Sequence, residues 1–345
     1  MNRGLAWGLS CAMTLGLAMT GGVALRAQAT GQQKAPVATA AAEKAPAAVD
    51  VIALNAKTLS VVPNLTAQDF VIQDDAKQTP VLSFASGMHY QEPPIALWLV
   101  LECNNYGVTD FASGFMRGKT KYLLPALAHL DKTDVVGAAH WCGNGKQAID
   151  LMPGHDPQAA VDALNTVLKQ KPVEGANRQA EDAKERMVNL ILTQAKTMKP
   201  KRTPVIVFLY GDAGFTFRHE AEGTLINLLS MPSFVYGLNN AGYHFDQSTM
   251  FGGGNVYYEI HYLSISLGGN VYGTPYPKQY ANALDYILMQ MHFRYTLGFQ
   301  PKKMDGKRHD LKIELTPAAA KKFPDVVLRY RAQYIPVPGP MRGPS

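Results

Sequence analysis

Two runs in this chain are apolar at every position rather than at every second one: residues 95–101 (IALWLVL) and residues 204–210 (PVIVFLY). Runs of this kind belong to strands buried on both faces, as the inner strands of a parallel sheet are. Residues 135–140 and 233–238 read as two more strands. Between the strands, apolar residues recur three and four apart, which is the helical spacing. Phe111, Phe115, Leu123, Leu127 and Leu130 suit a first helix that Pro125 kinks or breaks. Asp156 followed by Pro157 predicts an N-cap and a proline at the first helical position, with Val161, Leu164 and Leu168 continuing that helix. Ala183, Met187, Leu190 and Ile191 predict a longer helix, and Leu225, Leu228 and Leu229 another. A further helix is expected near 257–265, and Tyr280, Leu284, Ile287, Leu288 and Met291 mark the last. Strand alternating with helix predicts a mainly parallel, doubly wound α/β sheet flanked by helices.

The two ends of this core carry a different pattern. Residues 51–54 and 59–62, then 70–73 and 79–84, are short alternating runs separated by turns, as in antiparallel hairpins. Phe293, Tyr295, Leu297 and Phe299 alternate as well. So do Leu311, Ile313 and Leu315, and then Val326, Leu328, Tyr330, Ala332 and Tyr334. Segments from both ends are therefore expected to join in one small antiparallel β unit. The expected boundaries are 1–29 for a leader, 30–48 for a flexible linker and 49–92 for the N-terminal β segment. The α/β domain follows at 93–291, then the C-terminal β segment at 292–336 and a disordered tail at 337–345. No repeat of 20–50 residues is visible.

Residues 1–29 read as a secretory signal: Arg3 near the start, a mostly apolar stretch over 5–25, and Ala27-Gln28-Ala29 as a small-x-small cleavage pattern. The alternatives are a membrane anchor, which Ser10, Thr14, Thr20, Gly21 and Gly22 interrupt, and a lipoprotein site at Cys11, which falls too early. No transmembrane span is expected after cleavage. The formal charge is +6, and Arg3 and Arg26 leave with the leader. That weak, dispersed positive charge, with no basic helix or RNA-binding motif, argues against nucleic acid as a partner. Of three cysteines, Cys103 and Cys142 remain in the mature chain. Each follows a core strand, so an oxidising compartment favours a disulfide between them; two inert buried thiols are the alternative.

The first core strand ends in an acid, and Glu102-Cys103-Asn104-Asn105-Tyr106 follows the frame of an Asp-x-Ser-x-Ser junction. This resembles the first strand of a von Willebrand factor type A domain. The resemblance extends over nearly the whole mature chain to exported von Willebrand A-related proteins common in acidobacteria. It is carried by LTAQDFV (65–71), the strand before Glu102, 204–212, LSISLGG (263–269), RYTLGF (294–299) and GKRHDLKI (306–313). In that family three loops at the sheet top hold a magnesium or similar ion through compact oxygen ligands, at about 2.0–2.1 Å for magnesium. Adhesion members complete the shell with an acid from the partner. Position by position, Glu102 matches the first Asp, Asn104 and Tyr106 the two Ser, and Asp212 the later Asp. The second loop falls within 173–183, where no Ser or Thr occurs. The resemblance therefore implies a von Willebrand A-like fold with a degenerate metal site at Glu102, Asn104 and Asp212, and no cofactor beyond a possible divalent cation such as magnesium.

Other motifs lead nowhere. Gly114 through Thr120 approximates a phosphate loop but is one residue short and follows no strand. No Gly-x-Ser-x-Gly elbow or His-Glu-x-x-His pair occurs, and the nine histidines show no ligand spacing, His244 with Asp246 coming closest. Residues 236–276 are rich in glycine and aromatics. Tyr243, Phe245, Phe251, Tyr257 and Tyr258, with Tyr106, make a candidate surface for an unknown protein or cell-envelope component; covering a sheet edge is their other role. The function expected is a non-enzymatic, exported interaction module, periplasmic or extracellular. The alternatives are a metal-dependent adhesion domain with unusual ligands and a periplasmic hydrolase using Glu102 and Asp212.

Overall fold

In chain order the strands are β1 (Ala47–Asn55), β2 (Phe70–Asp74), β3 (Lys77–Thr79), β4 (Ser83–Ser86), β5 (Ile95–Glu102), β6 (Val135–Trp141) and β7 (Gln147–Gly154). They continue as β8 (Thr203–Tyr210), β9 (Phe234–Asn239), β10 (Val271–Gly273), β11 (Tyr295–Phe299), β12 (His309–Leu315), β13 (Val326–Tyr330) and β14 (Gln333–Tyr334). The helices are α1 (Leu124–Leu127), α2 (Pro157–Lys169), α3 (Asn177–Thr197), α4 (Glu220–Leu229), α5 (Tyr258–Ser266), α6 (Pro277–His292) and α7 (Pro317–Lys322). The computed structural model describes residues 47–87, 93–102, 119–142, 146–169, 177–210, 220–239, 258–274 and 276–336. All lie in one unit, Ala38–Ser345. The expected leader, most of the linker and the tail fall outside the described residues.

The central sheet runs β10-β9-β8-β5-β6-β7. It is parallel throughout except that β7 pairs antiparallel with β6. The continuous apolar runs have a direct cause here, because both faces of β5 and β8 are covered. Leu97, Leu99, Leu101, Val205 and Val207 face a core shared with α1, α2 and α6. Trp98, Val100, Ile206 and Phe208 face a second core shared with α3, α4 and α5. The sheet is the mainly parallel, helix-flanked arrangement expected from the strand–helix alternation.

Two strands escape the sequence patterns. Strand β7 is partly exposed at nearly every position and shifts register against β6 twice, so it shows neither alternation nor a continuous apolar run. Strand β10 is three residues long. The first predicted helix is also shorter than its pattern. Residues 111–118 lie outside the described residues, and a 3₁₀ turn at Thr120–Leu123 leads into α1, with Pro125 in the first turn where its missing N–H costs nothing. At α2, Asp156 Oδ1 accepts the Gln158 and Ala159 N–H groups at 2.9 and 3.3 Å, the N-cap expected.

The flanking segments from both ends join, as expected, in an antiparallel β unit, built as two four-stranded sheets ordered β13-β1-β11-β4 and β14-β12-β2-β3. They share a core in which Val49, Val51, Tyr295 and Leu297 meet Phe70, Ile72, Leu311 and Ile313. The run at 79–84, read as one strand, is divided between the two sheets. Pro80 lies between β3 and β4 and cannot donate to a ladder, so pairing ends at Thr79 and resumes at Ser83 in the other sheet. Strand β1 joins the layers: Val51 and Ala53 enter the sandwich core, whereas Ile52 and Leu54 enter the core under β5.

Two motifs singled out in the sequence act at these joints. In LSISLGG, Gly269 N–H returns to the Ser264 carbonyl at 2.8 Å and Gly268 N–H to Ile265 at 3.1 Å, a Schellman end to α5. A Cβ on Gly269 would lie 2.0 Å from the Val235 carbonyl oxygen, so only glycine lets this turn pack on β9. In LTAQDFV, Asp69 Oδ2 accepts the Thr66 N–H at 2.7 Å, closing the 3₁₀ turn before β2.

Candidate functional site

The carboxyl ends of β5, β6, β8 and β9 lie along one edge of the central sheet. Ligands of open α/β sheets bind at such an edge, where the order of connections reverses. Here β5 has its successor β6 on one side and β8 on the other. Glu102 ends β5 opposite Trp141 of β6 and is only 1% exposed. Inside the fold it faces the amino-terminal end of α6. Burial, reinforced by the Glu102 charge and opposed by the neighbouring Thr274 hydroxyl, pushes the Tyr280 hydroxyl above its ordinary pKa. Thr274 in turn donates its hydroxyl to the Asn239 carbonyl at 3.0 Å, tying the loop after β10 to the end of β9. Beside them Trp141 packs edge-on against Phe208, with ring centroids 5.3 Å apart.

Of the residues expected at this edge, Glu102 and Cys142 fall within the described structure. Cys142 is buried and disulfide-bonded. Cys103, Asn104, Tyr106 and Asp212 lie outside the described residues; β8 ends at Tyr210, two positions before Asp212. Tyr243, Phe245, Phe251 and Tyr257 also lie outside them, and Tyr258 is the first residue of α5. The phosphate-loop look-alike at 114–120 is described only from Lys119 onward. There the Thr120 hydroxyl is buried and donates to Asn165 Oδ1.

The fold also assembles two Asp/His groups that the spacing of histidines along the sequence does not show. In the first, His292 Nε2 lies 2.8 Å from Asp134 Oδ2 and 3.8 Å from Asp131. Asp134 additionally accepts the Ile95 N–H at 2.8 Å and the Asp131 N–H at 3.0 Å, so its oxygens are occupied in starting β5. Cavities of about 190 and 80 Å³ flank this group, at the end of β5 opposite Glu102.

The second group lies in the sandwich. His309 Nδ1 is 2.8 Å from Asp75 Oδ2 and its Nε2 is 2.9 Å from Asp305 Oδ1. The bond to Asp305 raises the His309 pKa, while burial works the other way. Asp74 lies beside them, completing a group that could hold a metal ion. Sequence spacing hides both groups because their members come from segments far apart in the chain. Asp74 with Asp75, Asp131 with Asp134, and Asp305 with His309 are the local pairs within them.

No protein-family model matches this chain, and no curated protein matches it. Solved structures do. A von Willebrand factor type A protein from Catenulispora acidiphila matches 84% of this chain and 74% of its own, at 10% identity and a TM-score of 0.40. The manganese-loaded TRAP protein of Plasmodium vivax matches 76% of this chain and 97% of its own, at 9% identity and a TM-score of 0.38. The PilB minor pilin from Streptococcus sanguinis matches 58% of this chain, at 8% identity and a TM-score of 0.38; this chain spans 62% of that pilin's length. With superpositions this loose, the architecture rests on the strand order and connections of this chain itself.

Proposed function

We propose that this protein is an exported, non-enzymatic interaction module that docks a protein or cell-envelope component at its strand-top edge by surface shape. The observation that carries this reading is the position of Glu102. A cation shared with a partner's acid has to sit where both sets of oxygens reach it, and Glu102 is withdrawn to 1% exposure beside Tyr280. Asn104 and Tyr106, standing where the resembled family has hydroxyl ligands, support the same reading. A tyrosine hydroxyl lies a ring's width from the backbone and cannot imitate a serine. The aromatics Tyr243, Phe245, Phe251 and Tyr257 supply the kind of side chains that anchor interfaces. Among the described residues no helix is long and apolar enough to cross a membrane.

Calorimetric titration with magnesium, manganese and calcium tests the absence of a strand-top clamp. The expected result is a cation response that is the same in the wild type and in a Glu102→Ala, Asp212→Ala double variant. Micromolar binding that the double variant loses would overturn the reading. Crosslinking in the native envelope, comparing wild type with a Tyr243→Ala, Phe245→Ala, Phe251→Ala variant, tests the docking face; a partner recovered equally by both places recognition elsewhere.

A further inference from the structure

We propose that Arg329, Tyr272 and Tyr286 form a binding site for a small carboxylate anion where the sandwich meets α6, apart from the strand-top edge. Arg329 lies on β13 as the register partner of Ile52 on β1, and residues paired in register share a face of their sheet. Ile52 faces the core that also holds Tyr236 of β9 and Ile287 of α6, with Tyr272 of β10 packed against it. The Arg329 stem is therefore carried out of the sandwich toward these tyrosines. Arg329, Tyr272 and Tyr286 are each partly exposed, so solvent reaches this corner.

The guanidinium has no anion to meet. Its Nη1 is buried and makes no hydrogen bond. Asp50, on the same face of β1 as Ile52, is taken up by the Thr296 hydroxyl at 2.5 Å and by Arg294 at 3.8 Å. No carboxylate among the described residues pairs with Arg329. A buried N–H without an acceptor is costly, and more so when it carries charge.

The neighbouring phenols add a donor and no counter-charge. The Tyr236 hydroxyl donates to Gln290 Oε1 at 3.4 Å, and Gln290 Nε2 donates to the Tyr272 hydroxyl at 3.0 Å. That relay leaves the Tyr272 proton without an acceptor among the described residues. The Tyr286 hydroxyl donates to the Leu59 carbonyl, and its ring stands edge-on to Tyr272 with centroids 5.7 Å apart. Burial is the first cause that raises the pKa of Tyr236 and of Tyr286, with the Arg329 charge working the other way. Both stay protonated at neutral pH, so neither balances the guanidinium.

Two donors without acceptors, the Arg329 guanidinium and the Tyr272 hydroxyl, define a ligand that brings acceptors and negative charge. One guanidinium balances one charge, which favours a carboxylate over a phosphate dianion. A carboxylate accepts two guanidinium N–H groups at once, at about 2.7–2.9 Å. Its remaining lone pairs are free to accept from Tyr272. The Tyr286 proton already goes to Leu59, so that ring serves as an apolar wall for the carbon side of the acid. An aromatic acid therefore fits this corner better than acetate.

Sodium benzoate and sodium acetate titrated into the full chain at constant ionic strength, beside sodium chloride and sodium phosphate, test this site by calorimetry and thermal unfolding. One saturable event and a higher melting temperature are expected with benzoate, a weaker response with acetate, and none with chloride. Arg329→Met should abolish the response, and Arg329→Lys should weaken it about tenfold or more through loss of the fork. Tyr272→Phe should weaken it by roughly tenfold or less. Glu102→Ala should leave it unchanged, which keeps this site distinct from the strand-top edge. In carboxylate-free buffer Arg329→Met should melt no lower than the wild type, because it removes a cation that has no anion; a lower melting point would show that the arginine is already satisfied and would overturn the proposal. Should circular dichroism show that Arg329→Met does not fold, Tyr272→Phe, which keeps the ring and its packing, decides by whether benzoate affinity falls. No saturable benzoate binding by the wild type, binding that Arg329→Met or Tyr272→Phe leaves intact, or an equal response to chloride or phosphate would also overturn it.

Discussion

Arg294 donates through Nη2 to the Pro93 carbonyl at 2.6 Å, so the residue just before β11 also holds the chain where it enters β5. The same guanidinium reaches the Met291 carbonyl at the end of α6, Thr203 Oγ1 at 3.4 Å and Asp50 at 3.8 Å, and the side chain is almost fully buried. One side chain thus joins the sandwich, α6 and the starts of two central strands. Arg294→Met should destabilise by about 2–4 kcal/mol, because it leaves buried carbonyls and Asp50 without their donor. Arg294→Lys should recover only part of that, since an ammonium cannot fork between separate acceptors. Urea denaturation followed by tryptophan fluorescence measures both, and an unchanged midpoint would show that the joint holds without this residue.

Two glycines in the left-handed region are expected to respond differently to alanine. Gly268 has φ +82°, and a Cβ there would lie 2.8 Å from the Tyr330 Cα. Gly306 has φ +68° and nothing within 4 Å of that position. Gly306→Ala should cost about 1–2 kcal/mol, the backbone preference alone. Gly268→Ala should cost clearly more, because the backbone of β13 must also move. Thermal unfolding of the pair is the measurement; equal costs would mean that β13 yields freely.

Alkaline stability should be governed by buried phenols. Burial is the first cause that pushes the hydroxyls of Tyr286 and Tyr295 up to about 12. Tyr295 also bridges the Leu65 N–H at 3.1 Å and the Val62 carbonyl at 2.6 Å. The unfolded chain loses these protons near its ordinary pKa of about 10, before the folded chain does. The stabilisation is therefore complete below about pH 10 and declines as pH rises toward 12. Denaturation midpoints across that range should fall, and Tyr295→Phe should flatten the slope. A flat wild-type profile would contradict the buried, bonded placement of this ring.

Non-reducing peptide mapping should join Cys142 to Cys103. Glu102 and Trp141 are register partners on parallel neighbouring strands, and the two cysteines are the next residues of each chain segment. Cys142 is disulfide-bonded. A fragment linking it to Cys11 instead, or a free Cys142 thiol, would defeat the expectation.

The candidate chemistry was less legible than the fold. Glu102 stood out because an acid closing an apolar run is a local signal, but its burial beside Tyr280 depends on where α6 lands. The group at His309 was hidden for a related reason. Asp75 and His309 are 234 positions apart, and only the pairing of β2 with β12 brings their side chains together. The division of residues 79–84 between two sheets had a local sign in Pro80, yet both halves alternate alike, so periodicity alone ran them together.

By itself the amino-acid order determined which segments become inner strands, because residues apolar at every position can only be stable with both faces covered. It likewise determined where α2 begins, since Asp156 and Pro157 satisfy the helix end locally. Tertiary structure alone decided that β7 closes the sheet antiparallel, that the chain ends build two facing sheets, and that Asp74, Asp75 and His309 converge. Those outcomes depend on pairings between distant segments. Their free energy comes from shared burial and cross-strand hydrogen bonds that no single stretch of sequence contains.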